Sequence, residues 1–189
     1  MFRRKRLTGA LVLPLIAAAS GCAPYASTLE IVDFRTGTDA QRYRETFDEA
    51  YFDIDEHGNV DIVLRRAAPT STPSAQTITQ VVHIKSVWRS IPGTTVAHRT
   101  QLNSTIRYYI LAGRTGAVFE GAGSVFFDLN GSKTSLSGRL GLAGLHPRQR
   151  LAADASLFKH AEVAGQFRAS RNPRRVVRMV NDMNRLFGQ

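Results

Sequence analysis

Residues 106–142 read IRYYILAGRTGAVFEGAGSVFFDLNGSKTSLSGRLGL, and the parity of their apolar positions decides the fold. Ile106, Tyr108 and Ile110 stand at even positions. Phe119, Val125, Phe127 and Leu129 stand at odd ones, and Leu136, Leu140 and Leu142 are even again. A strand sends successive side chains to opposite faces, so each run offers one apolar face to a core. Each change of parity requires a connection of even length. Gly113-Arg114-Thr115-Gly116 serves the first, and Asn130-Gly131, the preferred pair of a type I′ turn, serves the second. The resulting register sets Ile110 against Phe119, Tyr108 against Gly121, Val125 against Leu136 and Leu142 against Phe119. A ring over a glycine fills the space a missing side chain leaves, and Gly121, Gly123 and Gly138 suit a strongly bent sheet.

Working back from this meander, Ile78, Val82, Ile84 and Trp88 line one face of a long strand, with Thr77, Thr79, His83, Lys85 and Arg89 on the other; Pro92-Gly93 ends it. A Pro/Ser/Thr loop, residues 68–75, precedes it. Phe52 and Ile54, then Val60, Ile62 and Leu64, alternate with polar residues. Pairing 54 with 60 and 52 with 62 predicts a hairpin with a three-residue loop, Glu56-His57-Gly58, whose glycine takes the left-handed position. Before it, Thr38-x-x-Gln41 fits a capping box, and Ala40, Tyr43, Phe47, Ala50 and Tyr51 recur at helical spacing. These predict an N-terminal helix after a first strand at 28–34.

Beyond the meander, Ala161, Val163, Gly165 and Phe167 alternate in a last strand over 157–169. Asn172-Pro173 then caps a C-terminal helix with proline in its first turn. Val176, Val180, Met183 and Phe187 form its apolar stripe, opposite Arg174, Arg178 and Arg185, which are the residues expected to face anionic lipid headgroups if the positive charge is functional. The fold expected is α+β: a twisted antiparallel meander, either a curved sheet or a small barrel, with an N-terminal and a C-terminal helix packed on it. Residues 29–189 form one domain in this reading.

The first residues carry an address. Arg3, Arg4, Lys5 and Arg6 precede an apolar run from Leu11 to Ala19, too short to span a bilayer, which needs about 20 residues. Ala19-Ser20-Gly21-Cys22 resembles the bacterial lipobox, with alanine where leucine is usual. The resemblance implies a signal peptide, 1–21, cleaved before a diacylated Cys22, and a lipid-anchored tether, 22–28. Ala23 is similar to the residue that directs such proteins to the outer membrane of two-membrane cells, facing the periplasm. Cys22 is the sole cysteine, so its lipidation leaves no thiol for a disulfide, a nucleophile or a thiolate-zinc site. The remaining length, about 165 residues, suffices for a packed core.

Formal charge is +10 overall. Residues 22–61 carry 3 basic and 10 acidic groups, and residues 62–189 carry 18 basic and 5 acidic. Either the two parts pack on one another, or the basic part meets anionic lipid or an envelope protein. Nucleic acid suits the charge but not the compartment.

Candidate sites are sparse. In the expected register Tyr109 lies opposite Glu120, with Arg107 and Arg139 reaching Glu120 diagonally. A carboxylate between two guanidiniums makes an ion-pair cluster or an anion-recognising patch rather than a general acid. Asp53-x-Asp55-x-His57-Gly58-x-x-Asp61 partly resembles an EF-hand loop. Leu64 stands where the bidentate glutamate belongs, and the hairpin explains the spacing, so no metal is expected. His57, His83, His98, His146 and His160 form no helical pair. No nucleophile elbow and no phosphate-binding glycine loop occurs in the sequence, and neither catalysis nor a cofactor is expected. The apolar face of Trp88, Tyr108, Phe119 and Phe127 leaves an alternative open, a barrel carrying lipid or another small apolar ligand. The layout resembles that of lipocalins but lacks their Gly-x-Trp signature, and the chain is not assigned to them. The function expected is a non-catalytic binding or envelope-maintenance module; a hydrolase without a signature is the remaining alternative.

Overall fold

The structure, a computed structural model, describes residues 26–34, 40–69, 77–86, 102–151 and 160–188. Cys22, the Thr38-Asp39 helix start, most of the 68–75 loop, Trp88, Arg89, Pro92-Gly93, His98 and Leu157 lie outside the described residues. Among the described residues strands dominate, at 70% against 12% helix. They are β1 (Ser27–Asp33), β2 (Gln41–Phe47), β3 (Glu49–Ile54), β4 (Val60–Pro69) and β5 (Thr77–Ser86), then β6 (Ser104–Ala112), β7 (Thr115–Gly123), β8 (Val125–Leu129), β9 (Ser135–Arg150) and β10 (Ala161–Arg171). Helix α1 (Pro173–Phe187) follows.

The expected N-terminal helix is not formed: residues 41–47 and 49–54 are strands. Tyr43 and Phe47 are four apart, a spacing that fits both the helical and the strand period. Tertiary pairing breaks the tie. β1 pairs antiparallel along the whole of β2, from Ser27 with Phe47 to Asp33 with Gln41. Tyr43 and Phe47 thereby join the core, while Arg42, Arg44 and Thr46 are exposed. The next hairpin forms as its alternation requires, Phe52 with Ile62 and Ile54 with Val60. Gly58 takes a φ of +80° in the loop.

In the meander the faces as far as Leu140 are those expected, but the register is not. The first connection is two residues long, with Ala112 opposite Thr115 and a φ of +60° at Gly113, as a II′ turn requires. Tyr108 therefore faces Phe119, and Ile106 faces Gly121. A slip of two residues keeps every side chain on its face, which is why parity alone could not detect it. At the second connection Leu129 faces Leu136 and Val125 faces Leu140. This loop is not the expected type I′ turn: Gly131 lacks positive φ, and Lys133 has it, at +53°. The Asn130 carbonyl accepts from the Lys133 amide, and Asn130 Oδ1 accepts from the amides of Thr134 and Ser135 at 2.8 and 3.0 Å. Asn130→Ala should therefore cost about 1–2 kcal/mol in denaturant unfolding, whereas Gly131→Val, whose Cβ meets nothing within 4 Å, should change stability by under about 0.5 kcal/mol. Equal losses would refute this turn.

Leu142 was expected inside and is 64% exposed. An irregularity opposite Val163 to Gly165 reverses parity after Leu140, so Ala143 and Leu145 take the inner positions.

β9 pairs with β7 and β8 along one edge and with β10 along the other. The far edge of β10 first meets β1, then β3 in parallel at Ser170 and Arg171. The pairings β3-β4-β5-β6-β7-β9-β10 thus return to β3, a closed circuit of seven strands. The β1–β2 hairpin flanks it, and β2 and β3 are tied to β4 by the ion pairs Glu45–Arg66 and Glu49–Arg65. Side chains on the inner face, among them Leu29, Phe52, Ile84, Ile106, Phe119 and Leu140, pack into one buried cluster. Tyr108 lies within it and donates its hydroxyl to Gln80 Oε1 at 2.8 Å. Burial pushes the Tyr108 pKa well up.

Helix α1 starts as its sequence predicts. Asn172 Oδ1 accepts from the Arg175 amide, Pro173 opens the first turn, and Gly188 closes the helix in the left-handed conformation. Val176, Met179, Met183 and Phe187 are buried against Val63, Val81, Tyr109 and Val118 on the outer face of β4 to β7. Arg174, Arg178 and Arg185 are exposed, as their positions opposite the stripe require.

Candidate functional site

A row of polar side chains crosses the outer wall of the ring beside the helix. Alternation places it there, since Asp61, His83 and Arg107 each sit between inward-facing apolar neighbours and Glu120 follows the inward-facing Phe119. Arg107 and Glu120 are direct register partners. Arg107 Nε lies 3.1 Å from Glu120 Oε1, and Arg148 Nε lies 3.4 Å from Oε2. The carboxylate between two guanidiniums is thus present, with a different second arginine. Arg148 follows a register shift between Val118 and Phe119, and this irregularity brings its side chain to Glu120. Arg139 lies instead opposite Phe126 and Gln166, on another part of the wall.

Tyr109 faces Val118 rather than Glu120, and its hydroxyl approaches Asn184 Oδ1 of the helix at 3.4 Å. Burial beneath the helix raises the Tyr109 pKa, while Arg107 pulls it down. Burial opposes the charge on Arg107, but its bonds to Glu120 and Tyr109 outweigh that and raise its pKa. Arg107 and Tyr109 are therefore one unit with Glu120, though not in the geometry expected.

The pair that sequence reasoning missed is Asp61 and His83. His83 Nε2 lies 2.8 Å from Asp61 Oδ1. Their strands align Val63 with His83 and Asp61 with Lys85, so the contact is diagonal. The long connection between β4 and β5 leaves that register unreadable from sequence. His146 lies opposite Glu120 and stacks edge-on with His160, their ring centroids 4.3 Å apart.

The residues with EF-hand spacing serve the β3–β4 turn. Asp55 Oδ1 accepts from the amides of His57 and Asn59, and Asp55 Oδ2 from Asn59 Nδ2. The Asn59 side-chain bond leads the effects that lower the Asp55 pKa. Among the described residues no group of three or more potential ligands is placed to hold a metal ion.

Fold and site together define a closed ring of strands with one helix docked outside it and arginine-rich ion pairs on its wall. Comparison with protein-family models, with curated proteins and with solved structures returns no match for this chain.

Proposed function

We propose that this protein is a lipid-anchored module of a bacterial cell envelope, non-catalytic, which binds an anionic lipid surface or an envelope protein or maintains the envelope. In a two-membrane cell its place is the periplasmic face of the outer membrane. The observation that carries this is the Ala19-Ser20-Gly21-Cys22 junction behind a charged and then apolar leader. The start of β1 at Ser27 supports it, because cleavage before Cys22 removes none of the described residues. The packing of inner-face side chains on one another supports a binding surface on the outer wall rather than a carried ligand. Two acyl chains hold a protein stably where a single chain binds reversibly. Cys22→Ser should therefore shift the protein from the membrane fraction to a soluble or unprocessed form. Unchanged fractionation and an unchanged mass would overturn the lipid anchor.

A further inference from the structure

Charge alone does not say which side of the domain meets the membrane, since the helix face and the ring wall both carry arginine. The place where the chain leaves the sheet does. Ser27 sits at the seam where β1 stops and β3 takes over the same edge of β10. Its hydroxyl accepts from the Arg168 amide at 3.1 Å and lies 3.2 Å from the Arg168 carbonyl. Arg168 lies three residues before the end of β10 and pairs with Ser137 inside the β9–β10 ladder, so the chain departs from the wall of the ring and not from its rim.

Three residues, Ala23, Pro24 and Tyr25, separate Cys22 from Ala26. Four Cα steps reach at most about 15 Å, so an acylated Cys22 holds this wall close to the headgroups.

The wall is built for anions. Grooves of about 280 and 430 Å³ meet at Ala26 and share Arg168. A third, of about 670 Å³, runs beside Thr28 and Gln166 and is lined by Arg44, Arg139 and the exposed Leu142. Arg44, Arg139 and Arg168 are exposed, and none makes an ion pair with a described residue. Of the nearby acids, Glu30 is paired with Arg42 at 2.6 Å and Glu49 with Arg65, while Asp48 borders one groove and Asp128 lies opposite Ser137. The helix leads away from this region, from Tyr51 beneath Arg175 to Val118, and Arg185 is ten residues further along than Arg175, about 15 Å.

We propose that the β1–β10–β9 wall, through Arg44, Arg139 and Arg168, docks on anionic headgroups of the bilayer that holds the Cys22 lipid, with the helix face turned elsewhere. This rests on the lipid anchor proposed above. Three arginines at an anionic surface shift the docked population by on the order of 100-fold, and salt screens the attraction as the Debye length falls from about 10 Å at 0.1 M to about 3 Å at 1 M.

The test uses the full lipidated protein, purified from membranes and placed in phosphatidylcholine vesicles with or without phosphatidylglycerol. Lipidation occupies the sole cysteine, so a fluorophore can be attached at Ser137→Cys on this wall or at Thr105→Cys across the ring, and quenched by headgroup nitroxides. Quenching should be several-fold greater at 137 than at 105 in anionic vesicles. It should fall to the level of 105 in high salt, and in the triple variant Arg44→Gln, Arg139→Gln, Arg168→Gln. Equal quenching at both positions, in protein whose mass includes the lipid, would overturn the docking face and leave the anchor standing. A mass without lipid would overturn both.

Discussion

Gly121→Ala should destabilise the fold by more than about 4 kcal/mol, and the expected result is loss of a cooperative thermal transition at growth temperature. A Cβ at Gly121 would lie 1.9 Å from the Gly144 carbonyl oxygen, far inside any tolerated contact, and 3.1 Å from Leu145. The obstacle is backbone, so no rotamer change relieves it. β7 would have to move off β9 just where the pair closes the ring, at Gly121 with Leu145 and Ala122 with Gly144. Gly144→Ala is the matched control: its Cβ would meet nothing within 4 Å, and the variant should unfold close to the parent. Similar behaviour of the two variants would show that the β7–β9 approach is not as close as described.

Phe187→Ala should cost about 3–5 kcal/mol, the usual range for deleting a buried aromatic side chain. Phe187 is 2% exposed and tilts against Tyr109 with ring centroids 5.6 Å apart. It also fixes the end of the helix, where its carbonyl accepts from Gln149 Nε2 at 2.8 Å. Losing the ring should loosen the last turns and speed amide exchange from Met183 onward. Tyr109 supplies a second reading. Its pKa is raised chiefly by burial, so in the variant it should titrate closer to tyrosine's ordinary value near 10 in alkaline absorbance. The sign follows for the parent. A raised folded pKa means stability that is complete below about 10 and is lost as pH rises through the folded value. An unchanged Tyr109 titration in Phe187→Ala would show that the helix end does not shield it.

Local chemistry by itself determined much of this protein. Period-two alternation marked the strands of the meander, the β3–β4 hairpin and β10. Asn172-Pro173 marked the start of a helix whose valine, methionine and phenylalanine stripe docks as its spacing demands. These hold because each depends on residues within one element, or on a turn too short to allow an alternative. The address at Cys22 is also read from sequence alone, and it remains a proposal.

Tertiary structure decided the rest. Tyr43 and Phe47 fit helix and strand equally, and only β1, lying alongside with a matching ladder, made β2 a strand. Parity placed the meander's side chains as far as Leu140 on their faces, but a slip of two residues, as at Tyr108, or of four, as at Val125, leaves parity unchanged, so their partners depended on turns that the structure built differently. One irregularity in β9 turned Leu142 outward, and another substituted Arg148 for Arg139 beside Glu120. Asp61 and His83 met across a connection whose length hides their register. Ring closure by β10 and the wall from which the tether leaves follow from pairings between residues more than a hundred positions apart, such as Ser27 and Arg168. No local pattern encodes such contacts, because they arise only when the free energy of the whole packed sheet selects one set of neighbours.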